Sequence, residues 1–123
     1  MATSFEELKV WQTSHQLMLK IYEISARFPK NEEYNLVSQI RRAALSVPTN
    51  IAESQGRYHD QETIHFIYNA RGSAEEVRSL LIAAKDLKYV DSMLFEDLNK
   101  AYSGLIIGLN SFIKSIREKS RVT

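Results

Sequence analysis

Cysteine is absent from the 123-residue sequence, glycine and proline are scarce, and long apolar runs are missing. Without cysteine the chain has no disulfides, no thiolate zinc sites and no cysteine nucleophiles. Four glycines and two prolines are too few for an all-β chain, whose many turns need both residues. No apolar run approaches the roughly 20 residues of a membrane span, and the first residues lack a signal-peptide pattern. We therefore expect a cytoplasmic protein with no membrane partner.

A large net charge of one sign is missing as well. The 16 basic and 15 acidic residues leave a formal charge of +1, which predicts no strong overall electric field. The remaining composition, 44% hydrophobic and 25% charged, is typical of a globular chain and not of a disordered one. Because this length fits one ordinary domain, we expect a single domain over residues 1–123.

Helical periodicity runs through the sequence and is interrupted by turn-forming residues around Pro29, Gly56 and Asp91. The interruptions predict helices at about 4–28, 32–56, 60–88 and 92–119. Short connections between long helices favour antiparallel neighbours, so the predicted fold is an all-α, up-down-up-down four-helix bundle.

Local signals define the expected helix ends. Gly56 suits the left-handed conformation that often closes a helix, here the second one. The expected N-terminal caps are Ser4 (in a capping box with Glu7), Asn31, Asp60 and, for the fourth helix, Asp91 or Ser92.

Pro48 lies inside the second predicted helix. Proline removes an amide donor and clashes with the carbonyl of Ala44, so we predict a kink at Pro48. The helix should continue through the proline, because apolar residues stay on one face on both sides of it. These residues are Leu36, Ile40, Ala43, Val47, Ile51 and Ala52.

The first helix carries two apolar stripes, whereas a four-helix core covers only one of them. The second stripe should meet a second copy of the chain, or else be covered by its own long side chains in a monomer. The first stripe comprises Val10, Leu17, Ile21, Ile24 and Phe28, and the second comprises Leu8, Trp11, Met18, Leu19 and Tyr22. We expect Trp11, Met18, Leu19 and Tyr22 to form the oligomer interface.

The polar face of the second helix has two interpretations. Glu53 and Arg57 are four residues apart and can form an ion pair, so this face can be a structural ladder that includes Asn50. Alternatively, its arginines can bind phosphates, since guanidinium presents a rigid fork of donors to anions. The structural interpretation is favoured, because surface arginines are commonly paired. The face comprises Arg42, Ser46, Thr49, Asn50, Glu53 and Arg57, and Arg41 points about 100° away from Arg42.

The end of the fourth helix is basic, with Lys114, Arg117, Lys119 and Arg121 against Glu118. Cations complement the helix dipole at this end, which explains the cluster without a ligand. A nucleic-acid contact is the alternative, because an oligomer would multiply a small local charge.

Signals for catalysis are weak. Glu62 and His65 have the spacing of metal ligands on one helical face, with His59 nearby, but dinuclear bundles need that motif twice. The sequence also lacks a nucleophile elbow and a glycine-rich phosphate loop. We therefore predict a protein that is not an enzyme and has no metal and no cofactor.

A resemblance to a known family is carried by segments 5–12, 21–22, 28–29, 33–36, 39–53, 56–57, 70–76 and 87–89, the block 39–57 being the most specific. Together these segments resemble the small bacterial four-helix-bundle proteins first noticed in intervening sequences of 23S ribosomal RNA genes. The resemblance implies antiparallel bundles that assemble as closed rings of five, which would use the uncovered stripe of the first helix. Related proteins include the accessory variability determinant of diversity-generating retroelements, a basic pentamer that binds a reverse transcriptase and nucleic acid. By motif position, the resemblance implies that the first residues to examine for function are Arg41, Arg42, Asn50, Glu53 and Arg57.

These observations predict a non-catalytic homopentamer that acts as a binding or scaffolding module for structured RNA or a ribonucleoprotein. DNA is a second candidate ligand. The alternative is a pure protein–protein interaction module whose arginines are used in subunit ion pairs. The residues expected to contact phosphates are Arg41, Arg42, Arg57, Lys114, Arg117, Lys119 and Arg121.

Overall fold

The computed structural model describes residues 4–122 and contains four long helices with no strand in that range. This confirms the predicted all-α, four-helix fold. The helices are α1 (Lys9–Ser25), α2 (Ser38–Ser54), α3 (Asp60–Asp86) and α4 (Ser92–Val122). A 3-10 turn at Phe5–Glu7 precedes α1, and a 3-10 turn at Lys30–Glu32 and a π turn at Glu33–Val37 precede α2. None of the helices in this range is long and apolar enough to cross a membrane.

Hydrogen-bonded pairs define how neighbouring helices face each other. Along α3 the partners on α4 come in reverse chain order, so these two helices are antiparallel. The α3–α4 pairs are Asp60 with Ser120, Tyr68 with Arg117, Arg71 with Asn110 and Arg78 with Asn99. Helix α2 packs between α1 and α3, and α1 contacts α4.

The core is built from buried apolar residues of all four helices. Ile21, Ile40, Ile67 and Leu109 are completely buried, one from each helix. Each such side chain contributes about 1.5–3 kcal/mol relative to an exposed one. Tyr102 is also completely buried, and its hydroxyl has no hydrogen-bond partner among the described residues. Burial raises the pKa of the Tyr102 phenol.

The side of α1 that faces the core lies between the two apolar stripes predicted from the sequence. Val10 and Leu17, expected in the core, are half-buried, whereas Ser14, Met18 and Ser25 are buried. Two buried serines are tolerated because each hydroxyl donates a hydrogen bond to a carbonyl of its own helix. Ser14 Oγ lies 2.9 Å from the Trp11 carbonyl oxygen, and Ser25 Oγ lies 3.3 Å from that of Tyr22.

The start of α1 differs from the prediction, which placed it at Ser4. The Ser4 hydroxyl donates to the Glu6 carboxylate at 2.7 Å instead of accepting a bond from a helical amide. The chain therefore forms a short 3-10 turn, passes through an extended Leu8, and begins the helix at Lys9. The capping-box prediction at Ser4 is wrong.

The predicted left-handed conformation occurs at Lys88 and not at Gly56. Lys88 has φ 67°, and no glycine among residues 4–122 has a positive φ. The amides of Lys88 and Tyr89 donate to the carbonyls of Lys85 and Ala84, each at 2.9 Å, which closes α3. Helix α2 instead ends in short-range bonds, such as that from Gly56 N to the Glu53 carbonyl at 3.1 Å.

Of the remaining caps, the one at Asp91 is confirmed. Its Oδ1 accepts a hydrogen bond from the Leu94 amide at 2.8 Å. The caps at Asn31 and Asp60 are wrong, because Asn31 lies inside a 3-10 turn and Asp60 is already helical, after His59. The Asp60 carboxylate accepts a bond from Ser120 on α4 instead.

Helix α2 continues without interruption through Pro48, which is buried. The proline has no amide for the Ala44 carbonyl. Just after it, Thr49 Oγ1 donates to the Leu45 carbonyl at 2.8 Å and Asn50 Nδ2 donates to the Ser46 carbonyl at 2.9 Å. These side chains hold the turn that contains the proline; the kink itself stays a prediction.

Candidate nucleic-acid interface

Arg41 connects α2 to the end of α1. Its Nε donates to Ser25 Oγ at 2.8 Å, and its Nη2 donates to the Tyr22 carbonyl at 3.1 Å. The guanidinium also lies 4.8 Å from the centroid of the Tyr22 ring. With these contacts Arg41 is half-buried, so its first role is to hold two helices together.

Arg57 and Glu53 form the ion pair that their spacing predicts, with 2.6 Å between Nη2 and Oε2. The Arg57 guanidinium also stacks 4.3 Å from the centroid of the Phe66 ring on α3. Asn50 bonds to Ser46, whose hydroxyl accepts a bond from Ser73 on α3 at 2.9 Å. This face therefore makes structural contacts between α2 and α3.

Arg42 is the exception on α2. It is exposed and forms no ion pair with any residue in the range 4–122. Its guanidinium is available to an anion in solution.

A second group of cations surrounds Tyr68 between α3 and α4. Arg71 Nη1 donates to Asn110 Oδ1 at 2.7 Å, and its guanidinium lies 4.6 Å from the Tyr68 ring centroid. Arg117 Nη2 donates to the Tyr68 hydroxyl at 2.7 Å, with its guanidinium 5.6 Å from the same centroid. Both arginines are thus fixed by partners that carry no charge.

These residues line an open pocket of about 570 Å³. We call it the cationic pocket and define it by Tyr68, Arg71, Lys114, Arg117 and Arg121. Glu118 is the single carboxylate in its lining. None of the four cations takes part in an ion pair with a described residue, since the ion pairs in that range are Lys20–Glu23, Glu53–Arg57 and Glu75–Arg78.

The predicted basic residues of α4 divide between this pocket and the outer surface. Lys114, Arg117 and Arg121 follow one another at helical spacing and converge on the pocket. Lys119 is exposed and does not line it.

Arg71 was not predicted from the sequence as a phosphate-contacting residue. It lies three residues after Tyr68 on α3, so a shared face was foreseeable. Its position opposite Arg117 depends on the register between α3 and α4, for which the sequence carries no local signal.

The residues expected to form an oligomer interface lie partly in the core and partly on the surface. Met18 lies in the core with 8% of its surface exposed, whereas Leu19 and Tyr22 are 48% and 37% exposed. Trp11 is half-buried, stacks on His15 with 4.8 Å between ring centroids, and touches the edge of Phe5.

Trp11 borders a largely apolar groove of about 540 Å³ between the start of α1 and the end of α2. We call it the Trp11 groove. Its lining includes His15, Met18, Leu45 and Pro48, and Leu45 is 46% exposed.

The candidate metal ligands do not come together. His59 packs against Tyr58, and His65 packs against Phe66. Within residues 4–122, no group of three or more metal-binding side chains is close enough to hold an ion.

Fold and site together define a small all-α bundle with an open cationic pocket on one side and an apolar groove on another. Residues 6–111 match the family described as 23S rRNA-intervening sequence protein, and the chain belongs to this family. A search of curated protein sequences finds no match.

A solved structure has a similar fold. It is a protein of unknown function from the S23 ribosomal protein family of Bacteroides thetaiotaomicron, with a TM-score of 0.77 and 22% sequence identity. The alignment covers 85% of this chain and 98% of that one. At this identity the likeness establishes the fold alone.

Proposed function

We propose that the chain is a non-catalytic binding module whose cationic pocket contacts the backbone phosphates of structured RNA. The observation that carries the proposal is the pair Arg71 and Arg117. Both side chains are fixed in place, yet neither has its charge neutralised by a carboxylate.

The neutral partners explain why this pair suits an anion. Asn110 and the Tyr68 hydroxyl each accept one hydrogen bond at 2.7 Å, which leaves the other donors of each guanidinium available. A guanidinium fork matches the oxygens of a phosphate, and positioning it in advance reduces the entropy lost on binding. Phosphate contacts carry no sequence information, so binding should depend little on sequence.

Other predicted contacts belong to the same proposal. Arg42 and Lys119 are exposed and can extend the phosphate contacts beyond the pocket. Arg41 and Arg57 serve first to join helices, so we assign them a minor part in binding. The family description ties its members to intervening sequences of 23S rRNA, which makes RNA the first ligand to test.

We also propose that the chain assembles as a homopentameric ring. Support comes from Leu19 and Tyr22, which stay exposed on α1, and from the Trp11 groove beside them. A ring would present several cationic pockets to one RNA, and such multivalency raises the overall affinity. The resemblance to the retroelement accessory protein, itself a basic pentamer, belongs to this part of the proposal.

A pure protein-interaction module is the second candidate function. The Trp11 groove favours it, because an apolar groove of this size suits a protein segment better than a phosphate.

The test is a fluorescence-anisotropy titration of a labelled, fully paired RNA duplex and of duplex DNA at two salt concentrations. We expect binding that weakens with salt, with a log–log slope of about −0.9 for each phosphate contacted on duplex DNA. Arg117→Gln should weaken binding to both. Arg27→Gln is the matched control, because it removes the same charge from an exposed arginine outside the pocket.

Absence of binding at low salt would overturn the RNA proposal and leave the protein-interaction candidate. Equal affinity of Arg117→Gln and Arg27→Gln would keep RNA binding but remove the cationic pocket from it.

A further inference from the structure

A second pocket adjoins the cationic pocket at the start of α3. It has a volume of about 560 Å³, and its own lining includes Asp60, Gln61, Ile64 and His65. Tyr68, Arg117 and Arg121 line both pockets and so form their common wall. We call the second one the adjoining pocket.

The lining of the adjoining pocket differs in chemistry from that of its neighbour. Ile64 and the Tyr68 ring supply apolar surface, and the exposed His65 imidazole supplies a flat aromatic group. Gln61 adds an amide that both donates and accepts hydrogen bonds. Flat apolar surface combined with a few hydrogen-bonding groups suits a nucleobase.

The shared wall restricts what can occupy both pockets together. A phosphate held by Arg71 and Arg117 would place the attached sugar and base beside the wall. In a duplex the bases are stacked and paired inside the helix, and turning one out costs a few kcal/mol, so an unpaired base enters a protein pocket more readily. Proteins also bind single strands by stacking the exposed bases on aromatic side chains.

We propose that the two pockets together bind one unpaired nucleotide of an RNA strand, the phosphate in the cationic pocket and the base in the adjoining pocket. The inference rests on the proposed function for its phosphate contacts. It adds a ligand class, the unpaired nucleotide of a loop, bulge or strand end.

The experiment compares three labelled RNAs with equal numbers of phosphates. The first is fully paired, the second carries an unpaired loop, and the third carries the same loop with abasic sugars. We expect the loop RNA to bind about tenfold more tightly than the paired RNA, and the abasic loop to lose this advantage.

Variants of the adjoining pocket separate the base from the phosphate. His65→Ala and Gln61→Ala should weaken binding of the loop RNA several-fold and leave the paired RNA unchanged. Both residues are exposed, so the fold should tolerate the changes, which circular dichroism would verify. His59→Ala is the matched control, because His59 is an exposed histidine outside this pocket.

The outcomes distinguish this inference from the proposed function. Equal affinity for the paired, loop and abasic RNAs would overturn the inference while RNA binding itself stands. Failure of all three RNAs to bind would overturn the proposed function, and the inference with it.

Discussion

The arginines of α2 and those between α3 and α4 have different partners. On α2, Arg57 is neutralised by Glu53, and Arg41 is inserted against the end of α1. Between α3 and α4, Arg71 and Arg117 bond to an amide and a phenol, and their charge stays available. Arg41 and Arg57 thus stabilise the fold, whereas Arg71 and Arg117 contribute to a charged pocket. The partner of each arginine, more than its place in a motif, indicates what it does.

Exposed apolar side chains occur on both sides of the bundle, α1–α2 and α3–α4, and Ile82 on α3 and Ile107 on α4 are 44% and 66% exposed. Leu19, Tyr22 and Leu45 are exposed on the α1–α2 side, next to the Trp11 groove. Because the Trp11 groove lies on the α1–α2 side and the cationic pocket on the α3–α4 side, we expect the first side to serve assembly and the second to serve RNA.

The largest expected effect is on assembly. Leu19→Glu places a charge on the exposed apolar surface of α1, so the particle mass in multi-angle light scattering should fall to that of a smaller species. Gln16→Glu, which adds the same charge on the polar strip of α1, should leave the mass unchanged. A wild-type mass in Leu19→Glu would mean that another surface joins the subunits.

The next largest effect separates the two groups of arginines directly. The double variant Arg71→Gln with Arg117→Gln should lose about a hundredfold in RNA affinity, because each lost charged hydrogen bond costs about 1.5 kcal/mol or more. The matched double variant Arg42→Gln with Arg57→Gln should lose far less. Equal losses in anisotropy titrations would abolish the distinction between the two sides.

For the free energy of unfolding, in contrast, the larger effect is expected at an arginine of α2 that joins two helices. Arg41→Ala removes two hydrogen bonds and the contact with the Tyr22 ring, which should lower the free energy of unfolding by about 1–2 kcal/mol. Arg42→Ala, at the exposed neighbouring position, should change it by less than about 0.5 kcal/mol. Urea denaturation measures both, and a stable Arg41→Ala protein would return Arg41 to the candidate phosphate contacts.

Two tyrosines on the α3–α4 side differ in the partners of their hydroxyls. The Tyr68 hydroxyl accepts a bond from Arg117, whereas the buried Tyr102 hydroxyl has no partner among the described residues. Tyr102→Phe removes a buried, unsatisfied polar group, so it should raise the free energy of unfolding by about 1 kcal/mol and leave RNA affinity unchanged. A loss of stability would show that the Tyr102 hydroxyl has a partner in solution, such as a buried water.

The four helices could be predicted because their signals are local. Apolar periodicity and the residues around Pro29, Gly56 and Asp91 lie within a few positions of the structures they define. Individual ends were harder, because Ser4 bonds to the Glu6 side chain and a capping pattern alone does not exclude that choice.

The candidate site was predictable only in part, for a related reason. Lys114, Arg117 and Arg121 share a face of one helix, so their convergence follows from spacing alone. Arg71 meets Asn110 across 39 positions of sequence, and that meeting depends on how α3 packs on α4. The exposure of Leu19 and the burial of Met18 depended in the same way on the rotation of α1 in the bundle.

The end of α3 has a consequence for protein engineering. Lys88 adopts φ 67°, where the Cβ atom of any residue other than glycine is crowded by its own backbone. The two hydrogen bonds that close the helix involve only backbone atoms, so a residue without a Cβ atom could form them equally well. Lys88→Gly should therefore raise the melting temperature by a few degrees, since relief of this crowding is worth about 1 kcal/mol. Substitution by glycine usually destabilises a helical protein, whereas at Lys88 it should stabilise this one.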